Sequence, residues 1–162
     1  MRALSLWQPW VWFITHGHKR VENRGWSTPY RGPLALLATK NVRKLDYESA
    51  SDFALLRFGI ETPPWKSTEV PFGCLVGVAE LVDILPPNQD PMGGLRRAGA
   101  DQLQWRISGQ HAWVLENVER FDRPLPVGGA QGLLTHVRHD GQSITVQQAV
   151  ERARKLNEGQ RL

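Results

Sequence analysis

The sequence predicts a mixed α+β domain, a small mixed β-barrel with flanking helices, and three observations predict it. Strand candidates outnumber helix candidates. The two do not alternate regularly, which disfavours a doubly wound sheet. A chain of 162 residues, 41% hydrophobic and 22% charged, is one ordinary globular domain spanning residues 1–162, long enough for its own core.

Residues 3–7 read as a short opening strand. Pro9 suits the first turn of a helix running through "WVWFITHG", with Gly17 as its C-cap. Residues 21–26 read as a strand leading into the turn "STPYRG". The continuous apolar run of "GPLALLAT" is a buried strand with Thr39 and Lys40 at its exit. Residues 42–58 mix Leu45, Phe53, Ala54, Leu55, Leu56 and Phe58 with charges before a Gly59 stop, the pattern of a helix. "TPPWKSTEVP" is a loop. "FGCLVGVAELVDIL" is a long central strand ended by "PPNQDPMGG", a candidate mobile loop over residues 88–94. Residues 95–109 are polar and carry no clear pattern. "HAWVLENVERF" is a further strand, and the prolines and glycines of "DRPLPVGGAQG" argue against regular structure after it. In "TVQQAVERARKL", Val146, Ala149, Val150 and Ala153 stand at helical spacing with basic residues late, which makes a terminal helix.

Composition narrows the function classes. Twenty Lys and Arg against 16 Asp and Glu leave a formal charge of +4, and a pI near 9.6 favours an anionic partner such as nucleic acid. Cys74 is the only cysteine, so neither an intrachain disulfide nor a cysteine zinc cluster is expected, and its apolar neighbours read it as a small buried hydrophobe. The start "MRALSLWQPW" lacks a signal-peptide pattern and no run reaches membrane-spanning length, so a cytoplasmic protein with no membrane partner is expected. The motifs GxxxxGK[ST], HExxH and GxSxG are absent, and the histidines at 16, 18, 111, 136 and 139 are scattered. Neither a metal nor another cofactor is expected, and no obligate protein partner is implied.

The stretch "GHKRVENRGW", residues 17–26, carries the densest chemistry. On a strand, Glu22, Arg24 and Trp26 share one face while Val21, Asn23 and Gly25 take the other. Lys19 sits in the preceding turn and reaches that face on its flexible stem. A lysine between opposite charges binds anions, and one desolvated in a pocket can act as a base. The bland alternative is a solvated edge strand whose ion pairs are each worth at most about 1 kcal/mol. Seven tryptophans weigh against it. Trp12 and Trp113 read as core, but Trp7, Trp26 and Tyr30 interleave with basic residues, as stacking on a nucleobase requires.

Four ordered motifs, "LSLWQPW", "GHKRVENRGW", "YRGPLALLATK" and "WVLENVERFDRPLPVGGAQGL", resemble the ASCH domain, the activating-signal-cointegrator homology family of the PUA-like superfamily, and in particular its bacterial single-domain members. The resemblance covers residues 3–40 and 113–133 well, and the middle only through its strand pattern. It implies a PUA-like barrel with a cleft lined by the G-x-K-x-x-E-x-R residues, here Gly17, Lys19, Glu22 and Arg24. The family is associated with RNA binding. Some members are reported ribonucleases, and some small ones are amidohydrolases that deacylate N(4)-acetylcytidine and related nucleosides with a lysine, a threonine three positions later and a distant glutamate. Lys19 matches that lysine, but Glu22 stands at the threonine position. Thr39, Ser5 and Thr28 are the candidate substitute hydroxyls, with water as the alternative.

Three readings follow. In the first, a metal-independent amidohydrolase acts on an N(4)-acylated cytosine or cytidine, with Lys19 and Glu22 catalytic, Trp7, Trp26 or Tyr30 stacking the base, and Arg24 and Lys40 holding developing charge. Gln8, Thr39, Glu116 and Asn117 complete the candidate binding set. In the second, the domain binds single-stranded RNA or a modified base without chemistry. In the third, it is a ribonuclease using Glu22 and Lys19.

Overall fold

The computed structural model describes residues 1–87 and 98–159. Its strands are β1 (Arg2–Leu6), β2 (Val21–Arg24), β3 (Gly32–Ala38), β4 (Cys74–Leu85), β5 (His111–Pro126), β6 (Leu133–Leu134), β7 (His136–His139) and β8 (Gln142–Thr145). Its helices are α1 (Trp10–Thr15), α2 (Lys44–Phe58) and α3 (Val146–Glu158), with a 3-10 helix at Ala100–Trp105. Six strands form one mixed sheet in the order β2-β5-β4-β3-β1-β6, and β7 and β8 form a separate hairpin. β1 runs parallel to β3; the other pairings are antiparallel.

The sheet is curled into a half-barrel, and helices flank it. Register shifts interrupt the β4–β5 pairing at three places and the β3–β4 pairing at one. Such bulges bend a strand and increase its twist. The curl brings β2, at one end of the sheet order, back to β1 near the other end. Arg24 Nη2 donates to the Ser5 carbonyl at 2.7 Å across this closure. Gly77 marks one bulge, and a Cβ there would collide with the Glu119 carbonyl oxygen.

Two cores lie on the two faces of the sheet. Inside the curl, Leu4, Leu36, Leu81, Trp113 and Leu115 pack with Val11 and Ile14 of α1. On the other face, Ala35, Leu37, Val78 and Phe121 lie under Val146, Ala149, Val150 and Ala153 of α3. β3 is thus covered on both sides, the physical reason that its sequence is a continuous apolar run rather than an alternation. α3 starts at a capping box: the Gln148 N–H donates to Thr145 Oγ1 at 3.1 Å and the Thr145 N–H donates to Gln148 Oε1 at 2.9 Å.

Several expectations shift. α1 stops at Thr15 with His16 as its cap, and Gly17 follows in the left-handed region at φ +80°. β2 ends at Arg24, so Trp26 is off the strand. α2 begins at Lys44 and buries Tyr47, Ala50 and Ala54, leaving Leu45, Leu55 and Leu56 exposed. The segment "DRPLP", expected to be irregular, continues β5 to Pro126. β2 pairs only with residues 111–114 of β5, so the later part of β5 is a sheet edge where proline's missing N–H breaks no ladder bond. β6, β7 and β8 are strands that the sequence pattern does not predict: β6 is only the two residues Leu133–Leu134, and β7 and β8 are four-residue, largely polar segments; the β7–β8 turn uses Asp140 and Gly141 at φ +49° and +75°. Trp113 is fully buried, and Trp12 is partly buried against Phe13. Cys74 is buried, which pushes its thiol up to about 12. The loop over residues 88–94 lies outside the described residues. No helix among the described residues is long and apolar enough to cross a membrane.

Replacing Gly77 with Ala is expected to lower stability by about 1–3 kcal/mol through the clash at the bulge. Gly159→Ala, with nothing within 4 Å of the added Cβ, should change it by less than about 0.5 kcal/mol. Urea denaturation of the two variants checks the difference.

Candidate functional site

The site begins where α1 ends. The N–H groups of His18 and Lys19 both donate to the Phe13 carbonyl, at 2.9 and 3.1 Å. This tight turn draws the Lys19 side chain inward, and Lys19 is only 2% exposed. Its Nζ donates to Glu22 Oε2 at 2.7 Å and lies 5.8 Å from the Trp10 ring centroid. Glu22 is 8% exposed. Two residues on, and on the same face of β2, Arg24 brings its Nε to 3.5 Å from Glu22 Oε1. That is an ion-pair distance without hydrogen-bond alignment, so Nε and Oε1 have no hydrogen-bond partner among the described residues. Glu22 therefore stands between two cations, and such a desolvated cluster persists only because each charge has its counterpart.

The opposite face of β2 is equally used. Asn23 Nδ2 donates to the Trp105 carbonyl at 2.8 Å, and its Oδ1 accepts from the Ile107 N–H at 2.9 Å. The end of the 3-10 helix is thereby clamped to the strand. Arg20 forks onto Asp101 at 3.0 Å to both oxygens, and the Arg20 N–H donates to Gln102 Oε1 at 2.6 Å. The hydrogen bond from Gln102 holds the Asp101 carboxyl below the usual carboxylate range against the opposing effect of burial, and Arg20 beside it adds to the lowering.

Lys19, Glu22 and Asn23 form one wall of a cavity of about 710 Å³. α2 supplies Ser49 and Phe53, the 3-10 helix Gln104 and Trp105, and the chain after it Arg106. Trp7, Gln8 and Trp10 line it from the β1–α1 side. α2 is held in place by aromatic packing: Phe58 stacks on Trp105 at 4.1 Å, and Trp10 lies 6.3 Å from Phe53. Arg106 Nη2 donates to the Pro86 carbonyl at 2.7 Å, while its buried Nη1 has no partner among the described residues. The cavity thus offers aromatic faces, the Glu22 carboxylate, whose Oε1 accepts no hydrogen bond among the described residues, and three basic side chains, Lys19, Arg57 and Arg106.

The structure brings some of the expected residues together and separates others. Trp7, Gln8, Lys19 and Glu22 line this cavity, and Arg24 reaches it through Glu22. Gln8 is 2% exposed, with its amide used up locally: Nε2 donates to the Pro71 carbonyl at 2.9 Å, and Oε1 accepts from the Trp12 N–H at 3.1 Å. Trp26 packs edge-to-face on Trp113 at 4.8 Å, and the Tyr30 hydroxyl donates to the Pro33 carbonyl; neither lines the cavity. Thr39 and Lys40 line a second cavity of about 790 Å³, which Trp7 borders as well. Glu116 and Asn117 lie at the β4–β5 bulge, where Asn117 Nδ2 donates to Glu80 Oε2 at 3.1 Å, and neither lines either cavity. Of the candidate hydroxyls, Ser5 donates to the Ala130 carbonyl at 2.9 Å, Thr28 accepts from the Tyr30 N–H at 3.2 Å, and none lines the first cavity. Among the described residues no group of three or more His, Cys, Asp or Glu is placed to hold a metal ion.

The sequence reading missed Trp10, Phe53, Trp105, Arg106 and Ser49. Their convergence depends on how α2 and the 3-10 helix dock, which local pattern does not encode. Asn23 was missed as well, although its place on the other face of the strand from Glu22 was a signal that it meets a different element.

The curled mixed sheet with its flanking helices has the ASCH/PUA-like fold. Residues 4–125 match the ASCH domain, and the chain belongs to that family. It is 38% identical over 92 residues to activating signal cointegrator 1 of Homo sapiens and 39% over 90 residues to that of Mus musculus. Each match covers 54% of this chain and 15% of the relative, so the chain corresponds to a small part of those proteins. Among solved structures, a point variant of ZmASCH from Zymomonas mobilis superposes with a TM-score of 0.43 at 18% identity, covering 76% of this chain and 73% of that one. The parent ZmASCH gives a TM-score of 0.39 at 17% identity, with 80% and 72% covered.

Glu22→Gln should destabilise the protein by about 3–5 kcal/mol, because it strips the buried Lys19 of its counter-charge. Lys19→Met should cost less, since Arg24 still faces Glu22. Urea denaturation of both variants tests this order.

His16 supplies a pH prediction. It stacks on Trp12 with centroids 4.3 Å apart. Burial, reinforced by the nearby charges of Arg120 and His18, holds its pKa below the ordinary 6.5, against the hydrogen bond to the Trp12 carbonyl. The unfolded chain therefore takes up this proton first as pH falls, so the contribution of His16 is present above pH 6.5 and lost below it. His16→Gln should flatten the fall in melting temperature between about pH 7 and pH 5.

Proposed function

We propose that the first cavity is the site of a metal-independent amide hydrolase acting on an N(4)-acylated cytosine or cytidine. The observation that carries this reading is the buried Lys19–Glu22 pair, 2.7 Å apart, in an aromatic-walled cavity whose volume of about 710 Å³ falls in the range of small-molecule sites. A base stacks on Trp7, which is 53% exposed, with its acyl group directed toward Lys19 and Glu22.

Glu22 Oε1, which accepts no hydrogen bond among the described residues, takes a proton from a water that attacks the acyl carbonyl carbon. The Lys19 ammonium and Arg106 Nη1, which has no partner among the described residues, hold the negative charge that develops on the carbonyl oxygen. Collapse of the adduct breaks the C–N bond, and the proton passes from Glu22 to the departing amine, leaving an amino base and a carboxylate. Glu22 at the position where the related amidohydrolases have threonine makes water the nucleophile in this scheme. Ser49, which also lines the cavity, is the hydroxyl to test against it.

The second reading, a binding module without chemistry, draws on the same carboxylate: Glu22 between Lys19 and Arg24 also serves as a fixed brace for the cavity wall. A ribonuclease remains the third, using Glu22 as base and Lys19 at the leaving oxygen.

The purified protein with chelator present is expected to release cytidine from N(4)-acetylcytidine, and Lys19→Ala to lose at least about 100-fold in kcat, with circular dichroism confirming that the variant is folded. Ser49→Ala should retain turnover. No release by the wild-type protein would overturn the hydrolase reading in favour of the binding module.

A further inference from the structure

Among the described residues the exposed large hydrophobic side chains are Trp7, Leu45, Phe53, Leu55, Leu56 and Ile107. Four of these stand on α2, and the other two, Trp7 and Ile107, line the first cavity together with Phe53. Apolar surface gathered in one place, instead of scattered singly, marks a face that something covers. The pattern of α2 shows how that face arises. Its inner side is made by Tyr47, Ala50 and Ala54. At about 100° per residue, Leu45, Ser49, Asp52 and Leu56 fall within an arc of about 60° on the outer side, well away from those three. Leu45 is 70% exposed and Leu56 87%, and Ser49 and Asp52 are exposed between them. Their intervals of four, three and four residues are those of a seam along which one helix packs on another.

The seam is complementary to itself. Turned end for end, it sets Leu45 opposite Leu56 and Ser49 opposite Asp52, because both pairs are symmetric about the same midpoint of the helix. Asp46 and Glu48 already have counter-charges in Arg43 and Lys44, at 2.7 and 3.6 Å, whereas Asp52 has no partner among the described residues. A serine hydroxyl supplies the donor that such a carboxylate lacks. Two helices running in the same direction would instead set Asp52 against Asp52, a like-charge contact. The antiparallel arrangement avoids it and brings opposite ends of the two helix dipoles together. The four seam residues include no basic side chain, so an anionic partner finds no counter-charge among them.

We propose that this face of α2 is where two copies of the chain associate, through an antiparallel α2–α2 contact about a twofold axis. Leu45 packs on the partner's Leu56 at each end, and at the centre Ser49 Oγ donates to the partner's Asp52. The twofold makes each contact twice from one set of residues. Ser49 and Phe53 also line the first cavity, so the contact borders its rim, but the association stands whether or not that cavity performs chemistry. From Leu45 to Leu56 the seam is only about 16 Å long, and a contact of that size gives a weak, reversible dimer.

The test is sedimentation equilibrium of the full chain from about 5 to about 500 µM, the range in which a weak contact titrates. The mean mass should rise with concentration from the 18.3 kDa of one chain toward twice that value. Leu56→Glu should raise the dissociation constant at least about tenfold, and since Leu56 is exposed the variant should keep its fold, which circular dichroism checks. Disulfide trapping reads the orientation, with the buried Cys74 as the only native thiol. A mixture of Leu45→Cys and Leu56→Cys oxidised with diamide should give a cross-linked dimer holding one of each. Either variant alone should not, because two copies of residue 45 lie about 16 Å apart along an antiparallel seam, beyond disulfide reach. A chain that stays monomeric at the highest concentration, a dimer unmoved by Leu56→Glu, or self-cross-linking of Leu45→Cys at the rate of the mixture would each overturn the proposal.

Discussion

The Glu22 carboxylate is the point on which the arrangement turns. One oxygen accepts from Lys19 at 2.7 Å and the other faces Arg24 at 3.5 Å, while Arg24 reaches across to the Ser5 carbonyl. That last bond joins β2 to β1, strands separated by three others in the sheet order. A buried acid thus serves as counter-charge for an inward lysine and orients the arginine that spans the curl. The lysine is in turn fixed by its backbone bond to Phe13 at the end of α1. Fold closure and site geometry share the same few atoms, so a change to one is felt by the other.

Around this cluster the walls come from elements far apart in sequence. The bulged β4–β5 pair bends the sheet, and Asn23 carries the 3-10 helix on the outer side of β2. α2 contributes little by burying its own leucines, several of which face solvent. It is docked instead through aromatic contacts of Phe53 and Phe58 with Trp10 and Trp105. Trp10, Phe53 and Trp105 are at once packing that holds the helix and the apolar surface of the cavity, an economical use of tryptophan and phenylalanine, which offer large faces at small entropic cost. Trp7, at the end of a parallel strand, stands on the ridge between this cavity and the next.

Much of the framework was legible in the sequence. The long apolar run of β3 and the helical spacing of Val146, Ala149, Val150 and Ala153 both reported burial correctly. Alternation along β2 put Glu22 and Arg24 on one face, where they meet. Less legible were features set by pairing partners. Pro124 and Pro126 argued against a strand, yet they sit on the unpaired side of β5. Trp26 looked like a stacking residue because of its charged neighbours, but β2 ends two residues earlier and the ring turns onto Trp113. Thr39 and Lys40 looked like neighbours of Lys19 and instead open a second cavity, because β3 is separated from β2 by β5 and β4 in the sheet order, with β1 beyond it.

By itself, the sequence determined the fold class, the family resemblance and the charged turn at residues 17–26, since each depends on local spacing and on residue type. Only the tertiary structure decided which aromatic rings line the cavity and which fill the core, and that Arg106, Phe53 and Trp105 join Lys19 and Glu22 around it. These are contacts between residues tens of positions apart, created by the curl of the sheet and the docking of α2. No periodicity within a single element carries that information.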